Sequence, residues 1–153
     1  MVDLSRVVRL REAKDRLDRA YGEPLELRAL ASQSGYSLYH FVRAFHATYG
    51  ETPGRYQARR RVERAQELLR NTTLTVTEVC FRIGFSSLGT FSARFKEIVG
   101  FSPTVYREEM VRQGGPPPIP GCFVMMWSSP QPGRSQAGGR KGTVGSAKEE
   151  RPR

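Results

Sequence analysis

Apolar residues in the first three quarters of the chain recur at helical spacing, and glycine, proline, serine and threonine punctuate them. The clearest stretch is TPGRYQARRRVERAQELLRN, Thr52 to Asn71. Ala58, Val62, Ala65 and Leu69 step by four, three and four, with Leu68 widening the stripe, which predicts the apolar face of an amphipathic helix. Thr52 is placed as an N-cap, Pro53 fits the first helical position and Asn71 suits a left-handed stop. Arg55, Arg59, Arg60, Arg61, Arg64 and Arg70 fill most of the remaining surface. Such a helix would be roughly 27 Å long.

Upstream, Leu10, Ala13, Leu17 and Ala20 predict a helix over the first 21 residues, with Tyr21 beside the last of them. Gly22 stops it and Pro24 prevents its resumption. A short helix over Leu27 to Ser34 turns Leu27, Leu30 and Ala31 inward; Gly35 ends it, and Ser37 is placed to cap a helix from Leu38 to Tyr49. That third helix has two faces. Leu38, Phe41, Phe45 and Thr48 lie on one side, where the aromatic pair faces the core; Tyr39, Val42, Arg43 and His46 lie on the other. A phenol, an aliphatic, a guanidinium and an imidazole suit neither a core nor a plain solvated surface. They suit a helix lying in a DNA major groove, where Arg binds guanine in bidentate fashion and apolar atoms meet a thymine methyl. Helix, glycine-containing turn, helix is the helix-turn-helix arrangement.

The pattern then repeats. Gly35-Tyr36-Ser37 recurs as Gly84-Phe85-Ser86. Phe41, Phe45, Gly50, Thr52-Pro53 and Tyr56 recur as Phe91, Phe95, Gly100, Ser102-Pro103 and Tyr106. The offset grows by one residue near Ser87, so the second copy carries an insertion there. Leu27, Leu30 and Ala31 correspond to Val76, Val79 and Cys80, which makes Cys80 a small core residue rather than a nucleophile. The glycines and prolines act as backbone punctuation, not as phosphate loops. Two helix-turn-helix units therefore stand in tandem, the first over about residues 5–50 and the second over about 75–112, joined by the helix at 52–71.

Composition changes near Gln113. Residues 1–113 hold 19 Lys and Arg against 13 Asp and Glu, a net of +6, and residues 114–153 hold 6 against 2, a net of +4. The tail at 114–153 opens GGPPPIP and ends rich in Gly, Ser, Arg and Lys, a composition that predicts disorder over most of its length. One apolar island interrupts it, Cys122 to Trp127, readable either as a hook packing back on the domain or as a docking peptide. The whole chain carries +10, which points to an anionic partner, nucleic acid before an acidic membrane. No apolar run reaches the roughly 18 residues of a membrane span, and Met1 to Leu10 lacks a signal-peptide core; the expected location is the cytoplasm. Two cysteines and two histidines predict neither a disulfide framework nor a metal site.

The stretches GYSLYHFVRAFHATYGETPGRYQARRRVERAQELL and VTEVCFRIGFSSLGTFSARFKEIVGFSPTVYRE resemble the DNA-binding domain of AraC/XylS-family transcription regulators over about residues 5–110. The closing Gly100 to Arg107 segment, G-x-S-P-x-x-Y-R, carries the most specific part of that resemblance. It implies an all-α, seven-helix domain over 1–113 whose two recognition helices enter successive major grooves of double-stranded DNA. A connector of roughly 27 Å is compatible with grooves about 34 Å apart.

The resemblance also implies site residues. Base reading falls on Tyr39, Val42 and Arg43, with His46 beside them. In the second unit it falls on the face of Gly89, Ser92, Ala93 and Lys96, with Thr90 nearby. There the sequence departs from the family pattern, because Ala93 stands where a long polar or basic residue is common and the arginine has moved to Arg94. Gly89 and Ala93 offer base edges no side-chain hydrogen bond. Base reading is therefore expected mainly from the first unit, with Thr90 and Ser92 contributing. Gly89, Arg94 and Lys96 would meet the DNA backbone.

The resemblance implies no catalysis, cofactor or metal, with RNA polymerase as a second partner; because the two units already supply two half-sites, binding as a monomer is expected. Nothing here has the size of an effector-sensing domain, so a stand-alone regulator or a reduced form of a longer one is expected. Two rivals have different signatures. Alkyl-transfer repair needs an activated or zinc-bound cysteine, whereas an architectural binder needs only basic surface.

Overall fold

Short polar residues start five of the helices, and left-handed glycines end several of them. In the computed structural model, which describes residues 4–115, 119 and 120, the order is α1 (Leu4–Arg19), α2 (Leu27–Gln33), α3 (Leu38–Tyr49), α4 (Pro53–Asn71), α5 (Val76–Arg82), α6 (Leu88–Val99) and α7 (Pro103–Arg112). Ser37, Thr52, Thr75, Ser87 and Ser102 each accept a hydrogen bond from the backbone N–H three residues on. Glu78 returns the favour to the Thr75 N–H, completing a capping box on α5. Gly50 and Gly100 close α3 and α6 at φ of 78° and 92°.

The two units bury corresponding residues in their cores. Tyr36, Phe41, Phe45 and Tyr56 form a run of ring contacts with centroids 6.4, 5.9 and 5.7 Å apart. Phe85, Phe91, Phe95 and Tyr106 repeat it at 5.4, 5.7 and 5.5 Å. The four phenylalanines of α3 and α6 are fully buried, each stabilising the fold by up to about 3 kcal/mol. One core gathers Leu10, Ala13 and Leu17 of α1 around Phe41, Phe45 and Tyr56. The other gathers Val62, Ala65, Leu68 and Leu69 around Phe91, Phe95 and Tyr106. Helix α4 thus gives its first turn to one core and its later turns to the other, and that sharing makes it a structural connector rather than a spacer. Cys80 is fully buried in the second core, where Ala31 lies in the first; burial pushes its thiol pKa up.

Several expectations need correction. Helix α1 ends at Arg19, short of Tyr21, because the Glu23 N–H turns back to the Ala20 carbonyl at 3.0 Å. Asn71 does not adopt a left-handed stop; it is the last helical residue, and Thr72 follows in extended backbone. The Thr72 hydroxyl donates to the Leu68 carbonyl at 2.6 Å instead. Thr48 is exposed rather than inward, its hydroxyl bonded to the Ala44 carbonyl, and Ala58 is only half-buried. The insertion is resolved at Ser86, since Ser87, not Ser86, caps α6 as Ser37 caps α3. Ile119 of the tail is tied down: its N–H donates to the Asn71 carbonyl at 2.5 Å and its carbonyl accepts from Thr73 N–H at 3.0 Å. The Cys122–Trp127 island lies outside the described residues.

The arginines of α4 are the largest departure from a plain solvated face. Arg59 bridges Glu51 at 2.7 Å and Glu63 at 2.5 Å, and these carboxylates raise its pKa further above the usual arginine value. Arg60 reaches Asp18 at 2.8 Å and Glu63 at 2.5 Å. Arg64 pairs with Glu67 at 2.5 Å, and Arg55 with Glu97 at 3.3 Å. Asp18 of α1 is the centre of one such network. It accepts from the Tyr56 hydroxyl at 2.6 Å and from Lys14 at 3.0 Å. Burial pushes the Asp18 pKa up, but these donors and Arg60 outweigh it and hold the carboxylate below its ordinary value.

Candidate nucleic-acid interface

Burying Phe41 and Phe45 fixes the rotation of α3, and the opposite face must then meet solvent or a partner. Tyr39, Arg43 and His46 are all exposed there, Tyr39 by 64%. Val42 is half-buried, packed against the first core at the edge of that face. Arg43 is already held in place. Its Nη1 donates to the Tyr39 hydroxyl at 3.0 Å, and its guanidinium carbon lies 5.5 Å from the centre of the Tyr39 ring. His40, which sequence reasoning passed over, joins the same surface. Its Nδ1 lies 2.8 Å from the capping Ser37 Oγ, and its ring meets Tyr39 edge-on at 5.7 Å. An open cleft of about 530 Å³ beside them is lined by Arg6, Tyr36, His40, Arg43 and Ala47. The signal for His40 was its place one residue before Phe41, in the first turn of the helix.

The second unit presents less. Gly89, Thr90, Ala93 and Lys96 are exposed on α6, and Ser92 is half-buried. The Thr90 backbone and hydroxyl both engage Ser87, at 3.1 and 3.2 Å. A Cβ on Gly89 would touch only Ser87 Oγ at 3.8 Å, so neither crowding nor backbone conformation demands glycine there. Arg94 does not join Lys96. Its guanidinium pairs with Glu97 at 2.8 Å, and Glu97 also holds Arg55 of α4; the three line a crevice between α6 and α4.

Side chains of α4 and α7 tie these helices to the loops before α2 and α5. Gln57 Nε2 donates to the Glu23 carbonyl at 2.9 Å, in the loop before α2. Its counterpart in the repeat, Arg107, donates to the Leu74 carbonyl in the loop before α5. Arg61 donates to the Tyr21 and Glu23 carbonyls at 2.6 and 2.7 Å. Burial lowers the pKa of both Arg61 and Arg107, the latter countered in part by Glu78. Arg61 was placed among surface arginines, yet its position one turn after Gln57 and one residue before Val62 sets it on the flank of the buried stripe. Among the described residues no cluster of His, Cys, Asp or Glu is arranged to hold a metal ion. No helix among them is long and apolar enough to cross a membrane.

Comparison with known proteins follows the same outline. A family model described as a helix-turn-helix domain matches residues 30–109, a little over half the chain. The HTH-type transcriptional activator AarP of Providencia stuartii is 37% identical over 83 residues, covering 54% of this chain and 62% of AarP. PqrA of Proteus vulgaris is 31% identical over 102 residues, covering 67% of this chain and 80% of PqrA. Other relatives are much longer: the matched part of the MmsAB operon regulatory protein of Pseudomonas aeruginosa is 29% of its length. Among solved structures, the DNA-binding domain of AdpA in complex with a target DNA aligns with a TM-score of 0.64 at 28% identity, over 69% of this chain and 95% of that one. An AraC-type regulator from Chromobacterium violaceum aligns with a TM-score of 0.63 at 27% identity, over 71% and 96%. The repeat read from the sequence, the paired cores built on it and these likenesses agree, and the chain belongs to the AraC-type helix-turn-helix family of transcription regulators.

Proposed function

We propose that the protein is a sequence-specific transcription regulator that binds double-stranded DNA as a monomer, laying α3 and α6 into successive major grooves. The observation that carries this is the exposed Arg43 guanidinium, pre-ordered by Tyr39 on the face of α3 opposite the buried phenylalanines. A guanidinium held in this way presents a planar fork to a guanine edge at reduced entropic cost. The complex of the AdpA DNA-binding domain with its target DNA supports the same reading by likeness.

Within residues 1–113, which we assign as the DNA-binding domain, Tyr39, Val42, Arg43 and His46 read bases in the first unit. Thr90 and Ser92 add weaker reading in the second. Lys96 neutralises a phosphate, and Gly89 lets the DNA backbone approach α6 closely. Arg94 also meets the DNA backbone, exchanging the exposed ion pair that it makes with Glu97 in the free protein. The basic surface of α4 is not part of this set, since carboxylates already pair most of its arginines. Regulation rather than catalysis, in the cytoplasm and through contact with RNA polymerase, is the role we assign. A second reading, an architectural binder without sequence preference, is favoured by the absence of hydrogen-bonding side chains at Gly89 and Ala93.

Selection of random duplexes by the purified chain at two salt concentrations separates the two. Two enriched blocks about 10 base pairs apart support the regulator using both units. One block supports reading by the first unit alone. No enrichment, with affinity collapsing as salt rises, supports the architectural binder.

A further inference from the structure

Two recognition helices read a two-block site only if something fixes the distance and angle between them. Sharing α4 is one constraint; the structure contains a second. The loop after α1 belongs to the first unit, and the turn between α5 and α6 belongs to the second. Arg61 lies between these two segments. Its Nε and Nη2 donate to the Tyr21 and Glu23 carbonyls of the first, while the guanidinium carbon lies 5.4 Å from the centre of the Phe85 ring of the second. Beside it the two segments touch backbone to backbone. A Cβ built on Gly84 would fall 2.1 Å from the Gly22 carbonyl oxygen, and Gly84 sits at φ +91°. Both the missing side chain and the left-handed backbone are needed for this approach. Phe85 leads directly to α6 through its 5.4 Å contact with Phe91. The planar guanidinium suits the task, since it donates in its plane while stacking on a ring face. No carboxylate shares these contacts, so they do not belong to the ion-pair lattice along the rest of α4.

We propose that Arg61 is a positioning residue for DNA recognition: by clamping the 21–23 loop against the 84–85 turn, it fixes the relative placement of α3 and α6 and so restricts the operator to one spacing between its two blocks. The inference rests on the DNA-binding reading above for its consequence, though not for its geometry. A change of one base pair moves the second block by about 3.4 Å and rotates it around the duplex axis. A rigid pair of readers rejects that change, and a loosened pair tolerates it at lower effective concentration.

The test uses the full chain with Arg61→Ala and Arg61→Lys, the latter keeping the charge but losing the planar fork. In the free protein, spin labels are placed at Thr48→Cys on α3 and Glu108→Cys on α7, in a Cys122→Ser background with Cys80 buried. The label–label distance is read by pulsed electron resonance. The expected result is a narrow distribution that broadens in both Arg61 variants, with thermal unfolding still cooperative. On duplexes carrying the selected blocks at the preferred spacing and at one base pair more or less, both variants should lose about tenfold in affinity at the preferred spacing and little elsewhere.

An unchanged distance distribution overturns the proposal whatever the DNA result. So does a broadened distribution with the spacing preference intact, or an equal loss at every spacing, which would mark Arg61 as a simple phosphate contact. If the native chain selects no sequence at all while the distribution still broadens, the clamp stands and the regulator reading fails.

Discussion

The proposed recognition turns on Arg43, and the contact of Arg43 with Tyr39 allows a sharper test than deletion alone. The perturbations are Arg43→Ala, Tyr39→Phe and the two combined. A bidentate contact from Arg43 to a guanine carries about 1–3 kcal/mol of discrimination, so Arg43→Ala should weaken binding roughly 5- to 150-fold and relax preference at one base position. Ordering a free arginine side chain costs up to about 2 kcal/mol. In the free protein part of that ordering is already in place, through the 3.0 Å hydrogen bond and the ring contact at 5.5 Å. Tyr39→Phe keeps the ring and removes only the hydroxyl, so it should cost about 1 kcal/mol, near fivefold in affinity.

Because the hydroxyl acts through Arg43, the double variant should match Arg43→Ala to within about 0.5 kcal/mol. Affinities come from fluorescence anisotropy on the selected operator and on a copy altered at the guanine. Both side chains are exposed, so unfolding free energies should stay within about 0.5 kcal/mol of the native protein. Additive losses would show that the Tyr39 hydroxyl contacts DNA independently of Arg43 and that the pre-ordering argument is wrong. Unchanged affinity and preference in Arg43→Ala would remove the arginine from the site altogether.

Two further expectations concern charge. Lys96→Ala should weaken binding to all sequences alike and lower the slope of log K against log salt by about one, measured by titration at several salt concentrations; a loss confined to one sequence would make it a base reader. Asp18→Asn should cost about 1–3 kcal/mol near neutral pH, by denaturant unfolding, because the carboxylate accepts from Tyr56 and Lys14 and pairs with Arg60. The folded pKa of Asp18 lies below its ordinary value of 3.8. Its contribution is therefore complete above that value and is lost as pH falls toward the folded pKa, and the gap between native and variant protein should close only under acid conditions. A gap that narrows already between pH 5 and 7 would contradict this assignment.

Local rules were enough for much of the molecule. The extent of α3, the start of α4 and the glycine ends of α3 and α6 depend on caps, proline and left-handed backbone within a few residues, so the sequence shows them directly. The repeat did the same for the cores, because a residue buried in one unit has its counterpart buried in the other: Ala31 and Cys80, Phe41 and Phe91, Tyr56 and Tyr106. Amphipathic spacing also placed Tyr39, Arg43 and His46 opposite the core. What they contact on DNA is a separate question, which the selection and the double-variant cycle address.

Tertiary structure decided the fate of the charged side chains whose partners lie far along the chain. Periodicity can place an arginine on the outside of a helix but cannot say what lies against it. Arg61 finds its carbonyl partners 38 and 40 residues away, and Arg55 meets Glu97 across 42. Glu97 in turn also accepts from Arg94, one turn away on its own helix. The stop at Asn71 failed for a related reason: Thr72 and the returning Ile119 satisfy the end of α4, so no left-handed residue is needed. Long, flexible, charged side chains take whichever distant partner the packed backbone brings within reach. Apolar residues are committed earlier, by the local pattern that decides which face is buried.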